Sequence, residues 1–304
     1  MRSAYLKMTV ATLLLGSYLI ASKIILREVP VFTATFVRLV SAALVLLVFV
    51  AATSPSIPRI TRRDMLVLGA QSTLGVFLFS IFAMYGVRLT GGIESGVVMS
   101  TVPIAMSLIA LAFFGEKLTS VRTIGILLCV VGAASINLMS THASSGAAGS
   151  DAFLGTIFLL GAVACEAVFL TFGKFLSRPI APAKLSLILA ILGALLFSVP
   201  ATFEMRAMGA TPISWKMWGL MIYTGVAING LAVVWMYDAM RHVDTTVASA
   251  FTALVPVSGT ILAVIFLKED LHLYHAVGIA LVVFGVFLSA SRNEQVRKSM
   301  ALHQ

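Results

Sequence analysis

The chain has 304 residues, 60% of them hydrophobic and only 11% charged, with a formal net charge of +9. Globular chains carry roughly a quarter charged residues, so a soluble fold could not hide this much apolar surface, and no room is left for a separate soluble domain. Nor does the positive charge point to nucleic acid: the basic residues sit in short clusters between apolar runs, as topogenic signals do, without interleaved aromatics.

Crossing the hydrocarbon core takes about 20 mostly apolar residues. Runs of that kind fall at approximately 5–26, 32–52, 65–86, 93–114, 121–140, 152–175, 182–202, 215–237, 245–267 and 272–290. Lipid offers backbone groups no partner, so each is predicted to be a helix. The first run lacks an A-x-A-like end and continues through Ser22-Lys23-Ile24-Ile25, which makes it a retained span rather than a signal peptide. It carries Tyr18. Arg38, near the start of span two, is expected to snorkel as an interfacial anchor or to pair with a neighbouring helix, and Lys23 reads similarly. Gln71 in span three is a mid-membrane amide suited either to polar substrate groups or to joining helices. Phe79, Phe82 and Tyr85 follow it; they suit a pocket that stacks on an apolar substrate, while lipid contact (Phe79, Phe82) or the interfacial aromatic belt (Tyr85) explains them equally.

Span four carries Pro103, whose ring removes a helical hydrogen bond, giving either a hinge or a static kink. Cys129 in span five and Cys165 in span six fit no metal or redox spacing and read as core residues. Between those spans, 141–151 is a Ser/Ala/Gly-rich flexible linker. Glu166 stands mid-span in span six. A carboxylate at the bilayer centre costs roughly 3 kcal/mol or more, so it is expected to face a cavity, a substrate ammonium, a transferred proton, or a cation such as Arg38 or Lys23. Asn229 in span eight has the same two readings as Gln71, and Trp235 and Tyr237 the same two as Tyr85. Pro256 in span nine occupies the position equivalent to Pro103.

With the N-terminus in the cytoplasm, fourteen Lys and Arg fall in cytoplasmic segments and six on the opposite side, which predicts both termini inside. The even number of spans agrees. Residues 88–137 align without gaps onto 241–290, pairing Arg88 with Arg241, Pro103 with Pro256, Glu116 with Glu269, Gly125 with Gly278 and Gly132 with Gly285. Five spans per half is odd, so the second half enters from the other face. The fold class is therefore all-α integral membrane, ten transmembrane helices as two inverted five-helix repeats (1–140 and 152–292) and a cytoplasmic tail, 293–304. The glycine pairs, seven residues apart, let spans five and ten pack closely, as scaffold or as a dimer contact; monomer and homodimer stay open. Glu116 and Glu269, at span ends, are expected to help end one helix and begin the next.

Leu15-Gly16-Ser17-Tyr18 followed by Lys23, Arg38-Leu39, Val102-Pro103, Phe113-Phe114-Gly115-Glu116-Lys117-Leu118, Val255-Pro256 and Phe266-Leu267-Lys268-Glu269, in that order, resemble the EamA-type members of the drug/metabolite transporter superfamily. The resemblance covers nearly the whole chain. It implies export of small metabolites across a bacterial inner (plasma) membrane, with amino acids a common class and aromatic amino-acid exporters one branch. The expected function is a secondary transporter of small amphiphilic metabolites, alternating access around a midplane cavity. Substrate-binding candidates are Tyr18, Gln71, Phe79, Phe82, Glu166, Asn229 and Trp235, with Pro103 and Pro256 as kinks. A passive uniporter or channel, or a multidrug or nucleoside exporter, is the alternative. Beyond substrate and lipid no partner is expected. There is no P-loop, no H-E-x-x-H and no potassium filter, so no cofactor, metal or catalytic residue is expected, and the chain does not read as an enzyme.

Overall fold

The computed structural model describes residues 2–53, 60–102, 104–105, 108–109, 120–121, 123–128, 131–132, 135, 147–172, 175–177, 180–209, 212–240 and 254–291. The elements are helices, and no strand occurs among the described residues. α1 (Arg2–Ile25) turns tightly into α2 (Val31–Thr53). α3 (Arg62–Leu89) starts on a capping box, in which the Thr61 hydroxyl accepts from the Asp64 N–H and the Asp64 carboxylate accepts from the Thr61 N–H at 3.0 Å. That satisfies two donors the first turn would otherwise leave bare. α4 (Gly92–Met99) ends in a turn at Ser100–Thr101. α5 (Ala147–Phe172) and α6 (Pro182–Met208) follow. α7 runs continuously through Trp215–Tyr223, Thr224–Ala232 and Val233–Met240, α8 through Leu254–Leu262 and Ala263–Leu267, and α9 is Leu273–Ser291.

Six stretches are long and apolar enough to cross a membrane: Tyr5–Ile25, Val31–Thr53, Arg62–Leu89, Asp151–Phe169, Pro182–Met208 and Trp215–Met236. They coincide with the expected spans one, two, three, six, seven and eight. Shorter apolar helices, Val257–Leu267 and Leu273–Gly285, lie where spans nine and ten are expected. Much of spans four and five, with Pro103, Glu116 and Cys129, lies outside the described residues, as does most of the 141–151 linker. The last residues of that linker are helical, because α5 begins at Ala147.

Their exteriors identify the solvent. On α2, Leu39, Ala42 and Leu46 form a buried stripe at helical spacing, while Leu44, Leu47 and Val48 are exposed. On α6, Phe197 and Ala201 are fully buried and Leu195, Val199 and Phe203 are exposed. Helices apolar on both faces belong in lipid. The chain is an integral membrane protein.

Contacts between helices come in pairs under the 153-residue offset. α3 packs on α5 and α6, the first two helices of the second half; α7, its counterpart, packs on α1 and α2. α4 meets α5 as α8 meets α1, and α2·α6 and α4·α8 join equivalent helices. Each half thus builds its third helix into the other. The same two helices share a second feature. Gln71–Leu78 in α3 and Thr224–Ala232 in α7 are π-helical, and they start at equivalent positions. A π stretch is rare, widens the helix and leaves some carbonyls loosely held; such stretches recur at functional sites.

Glycine admits the close approaches. A Cβ on Gly225 would stand 2.3 Å from the Arg38 carbonyl oxygen, so α7 lies with its backbone on α2. A Cβ on Gly132 would stand 2.8 Å from the Gly278 carbonyl oxygen, in keeping with the close packing expected between spans five and ten.

Candidate functional site

Arg38 is the eighth residue of α2, roughly 10 Å in from the helix start at 1.5 Å per residue. Tyr18, seven residues before the end of antiparallel α1, reaches the same level. The Arg38 guanidinium donates to the Tyr18 phenol oxygen at 2.5 Å and to the Ser80 hydroxyl of α3 at 2.9 Å. Its carbon lies 5.0 Å from the centre of the Tyr18 ring, within cation–π range. Beside it the Ser17 hydroxyl meets the Tyr223 phenol of α7 at 2.8 Å. Four helices from both halves therefore converge on five polar side chains: Ser17, Tyr18, Arg38, Ser80 and Tyr223. Arg38 is 4% exposed, so of the two expected roles the structure shows the helix–helix pair and not the snorkelling anchor. Among the described residues its Nε has no hydrogen-bond partner, and no carboxylate pairs with it.

A second polar group lies along α3. Gln71, buried to 1% exposure, donates from Nε2 to the Phe169 carbonyl of α5 at 2.9 Å. Its Oε1 and the neighbouring Ser72 hydroxyl are buried without partners. One end of the amide joins helices, therefore, and the other is free to accept. Glu166 stands three residues before Phe169, half-buried, with no hydrogen bond or ion pair to another described residue. Neither cation expected as its partner is available: Arg38 is committed to Tyr18 and Ser80, and Lys23 to Glu269.

The aromatic candidates separate. Phe82 packs on α5, 6.1 Å from the Phe158 ring and against Gly161. Tyr85 also meets Phe158, at 6.0 Å between ring centres. Trp235 occupies the position equivalent to Phe82 in the second half, half-buried, as are Phe79 and Asn229. Asn229 falls inside the π-helical stretch of α7. Pro256 lies within α8; the side chains of Pro256 and Tyr237, and Pro103 as a whole, are outside the described residues.

At the helix ends of the same half of the bundle stands a different polar group. Lys23 of α1 donates to the Thr90 carbonyl at 2.5 Å and pairs with Glu269 at 3.2 Å. The Glu269 carboxylate accepts the backbone N–H of Gly92 at 2.6 Å and of Ile93 at 3.0 Å. It thus caps α4 from the other half of the chain, where negative charge is favoured by the helix dipole. His275 Nε2 lies 3.7 Å from Glu94. The expected role of Glu269 at a helix start is therefore met, but the helix belongs to the first repeat.

Ser17, Ser80 and Tyr223 were not singled out by sequence reasoning. Hydroxyls are common in membrane helices, and Arg38, around which they gather, itself read as an interfacial anchor or a helix–helix pair.

Comparison with known proteins decides the class. The model of the EamA-like transporter family matches residues 2–138 and again 153–291. The chain belongs to the EamA-like transporter family. The uncharacterized transporter YetK of Bacillus subtilis is 32% identical over 96% of this chain and 88% of its own. An uncharacterized transporter of Archaeoglobus fulgidus is 25% identical over 76% and 79%, and a WAT1-related protein of Arabidopsis thaliana 23% identical over 76% and 70%. A crystal structure 18% identical superposes with a TM-score of 0.66, covering 96% of this chain and 99% of its own, and shares the fold. This EamA-like chain is a membrane transporter of the drug/metabolite class, and its family consists of transporters rather than enzymes.

Proposed function

We propose that the protein is a secondary transporter that exports small amphiphilic metabolites, amino acids foremost, across a bacterial inner (plasma) membrane. In this reading it has ten spans, both termini cytoplasmic, and two inverted repeats, 1–140 and 152–292, that exchange access around a midplane cavity. The observation that carries it is the pairing of the π-helical stretches at Gln71–Leu78 and Thr224–Ala232, each set against the first two helices of the opposite half. Equivalent weakly bonded stretches give each half an element able to rearrange in turn, as alternating access requires.

Tyr18, Gln71, Asn229 and Trp235 would contact substrate, with Phe79 and Phe82 shaping the apolar side. Glu166, lacking a partner among the described residues, would hold the substrate ammonium or exchange a proton. Pro103 and Pro256 would mark the paired kinks. Counterflow in proteoliposomes loaded with an amino-acid panel tests the reading. Saturable exchange that responds to a pH gradient supports a proton-coupled carrier. Saturable exchange indifferent to the gradient leaves a uniporter, flux linear in concentration a channel, and exchange only of nucleosides or drug-like cations removes the amino-acid class.

A further inference from the structure

The Arg38 guanidinium is a full positive charge buried at membrane depth, 4% exposed, whose partners among the described residues are all neutral. Tyr18 and Ser80 satisfy two of its five N–H groups and the Tyr18 ring covers one face. The Nε edge has no partner. A buried charge left without a counter-ion is strongly unfavourable, and a second cation at the same end of the bundle, Lys23, is given a carboxylate. The planar fork of arginine matches a carboxylate through two parallel N–H donors. Around it stand two hydroxyls able to donate to the same anion, those of Tyr18 and Ser80, which accept from Arg38 and keep their own protons to give. With one guanidinium and neutral hydroxyls, the set balances one negative charge; a doubly charged phosphate would call for a second cation.

Resting on the transporter reading above, we infer that Arg38, held by Tyr18 and Ser80, is the anchor for a substrate carboxylate. The substrate class is then defined by a monoanionic carboxyl group on an apolar or aromatic body, and an amine lacking that group is excluded. Glu166, in the other polar group, plays no part in this contact.

The test uses purified full-length protein in detergent and three probes of one shape: phenylalanine, 3-phenylpropionate and phenethylamine, with leucine as a smaller carboxylate. Thermal midpoints are measured for wild type, Arg38→Gln and Arg38→Lys. Phenylalanine and 3-phenylpropionate are expected to raise the wild-type midpoint and phenethylamine is not. Arg38→Gln should weaken apparent affinity for both carboxylates by roughly tenfold to a hundredfold, the loss of a charge-assisted pair. Arg38→Lys, which keeps the charge but not the fork, should fall between. Should Arg38→Gln fail to fold, the wild-type comparison of the three probes and the Arg38→Lys variant still decide. A shift by phenethylamine equal to that by phenylalanine, an unchanged 3-phenylpropionate response in Arg38→Gln, or no shift by any carboxylate overturns the anchor. A carboxylate-dependent shift without counterflow would instead remove the export reading and leave the anchor standing.

Discussion

Lys23 and Arg38 lie on neighbouring antiparallel helices in the same half of the bundle, and the fold treats them in opposite ways. Lys23 receives a carboxylate and a backbone carbonyl, and that carboxylate in turn caps a helix. Arg38, deeper and more completely buried, receives two hydroxyls and an aromatic face. A charge that serves the architecture is neutralised within it. A charge left short of an anion, in a membrane interior where that is costly, is kept for something that arrives. The contrast also divides the molecule mechanically: the Lys23–Glu269 group ties the two halves together at one end, while the Arg38 group lies beside the π-helical stretch of α7.

The largest effect should come from breaking the neutralised side. Glu269→Ala leaves Lys23 unpaired and two N–H groups of α4 uncapped. The expected loss is about 3 kcal/mol, read as a lower thermal midpoint in detergent. If the group holds that end of the bundle shut, Glu269→Ala should also speed exchange at low temperature. An unchanged midpoint would mean the pairing is incidental.

Next comes the support under Arg38. Gly225→Ala places a methyl group 2.3 Å from the Arg38 carbonyl oxygen, a backbone atom that cannot yield alone. Overpacking of this kind costs about 1–3 kcal/mol, and the shift of α2 should raise KM for carboxylate substrates more than it lowers kcat. A fall in stability with KM intact would separate the two helices' packing from the site. Glu166→Gln removes a carboxyl group that no described residue holds, so the thermal midpoint should not fall. Its transport rate should lose the pH dependence of wild type; normal transport at every pH would make Glu166 structural.

Much of this was legible in the sequence, for physical reasons. Apolar run length fixed the positions of the long spans, because lipid thickness sets a minimum. The offset of 153 residues predicted which helices correspond, and the paired contacts follow it. The glycines of spans five and ten could be read as packing positions because close helix approach restricts them to the smallest side chain, as Gly132 against Gly278 shows. The π-helical stretches could not be foreseen: Gln71-Ser72-Thr73-Leu74 and Thr224-Gly225-Val226-Ala227 share no obvious signal. Likewise Arg38 read as an interfacial anchor, because sequence gives its distance from the helix end but not the Tyr18 and Ser80 oxygens that two other helices bring to it.

Of the two ion pairs, the smaller effect belongs to the one that looks, by distance alone, the better. Lys7 of α1 and Asp238 of α7 are 2.6 Å apart and join the two halves, as Lys23 and Glu269 do. Both side chains are 40% exposed, twice as open as those of Lys23 and Glu269, at 22% and 20%. Water or headgroups already solvate such charges, and holding two long side chains in one geometry offsets most of the attraction. Lys7→Gln should therefore lower stability by less than about 1 kcal/mol, and the difference should shrink further in high salt. If Lys7→Gln instead matched Glu269→Ala, distance rather than burial and capping would govern these pairs, and the contrast drawn between Lys23 and Arg38 would lose its physical basis.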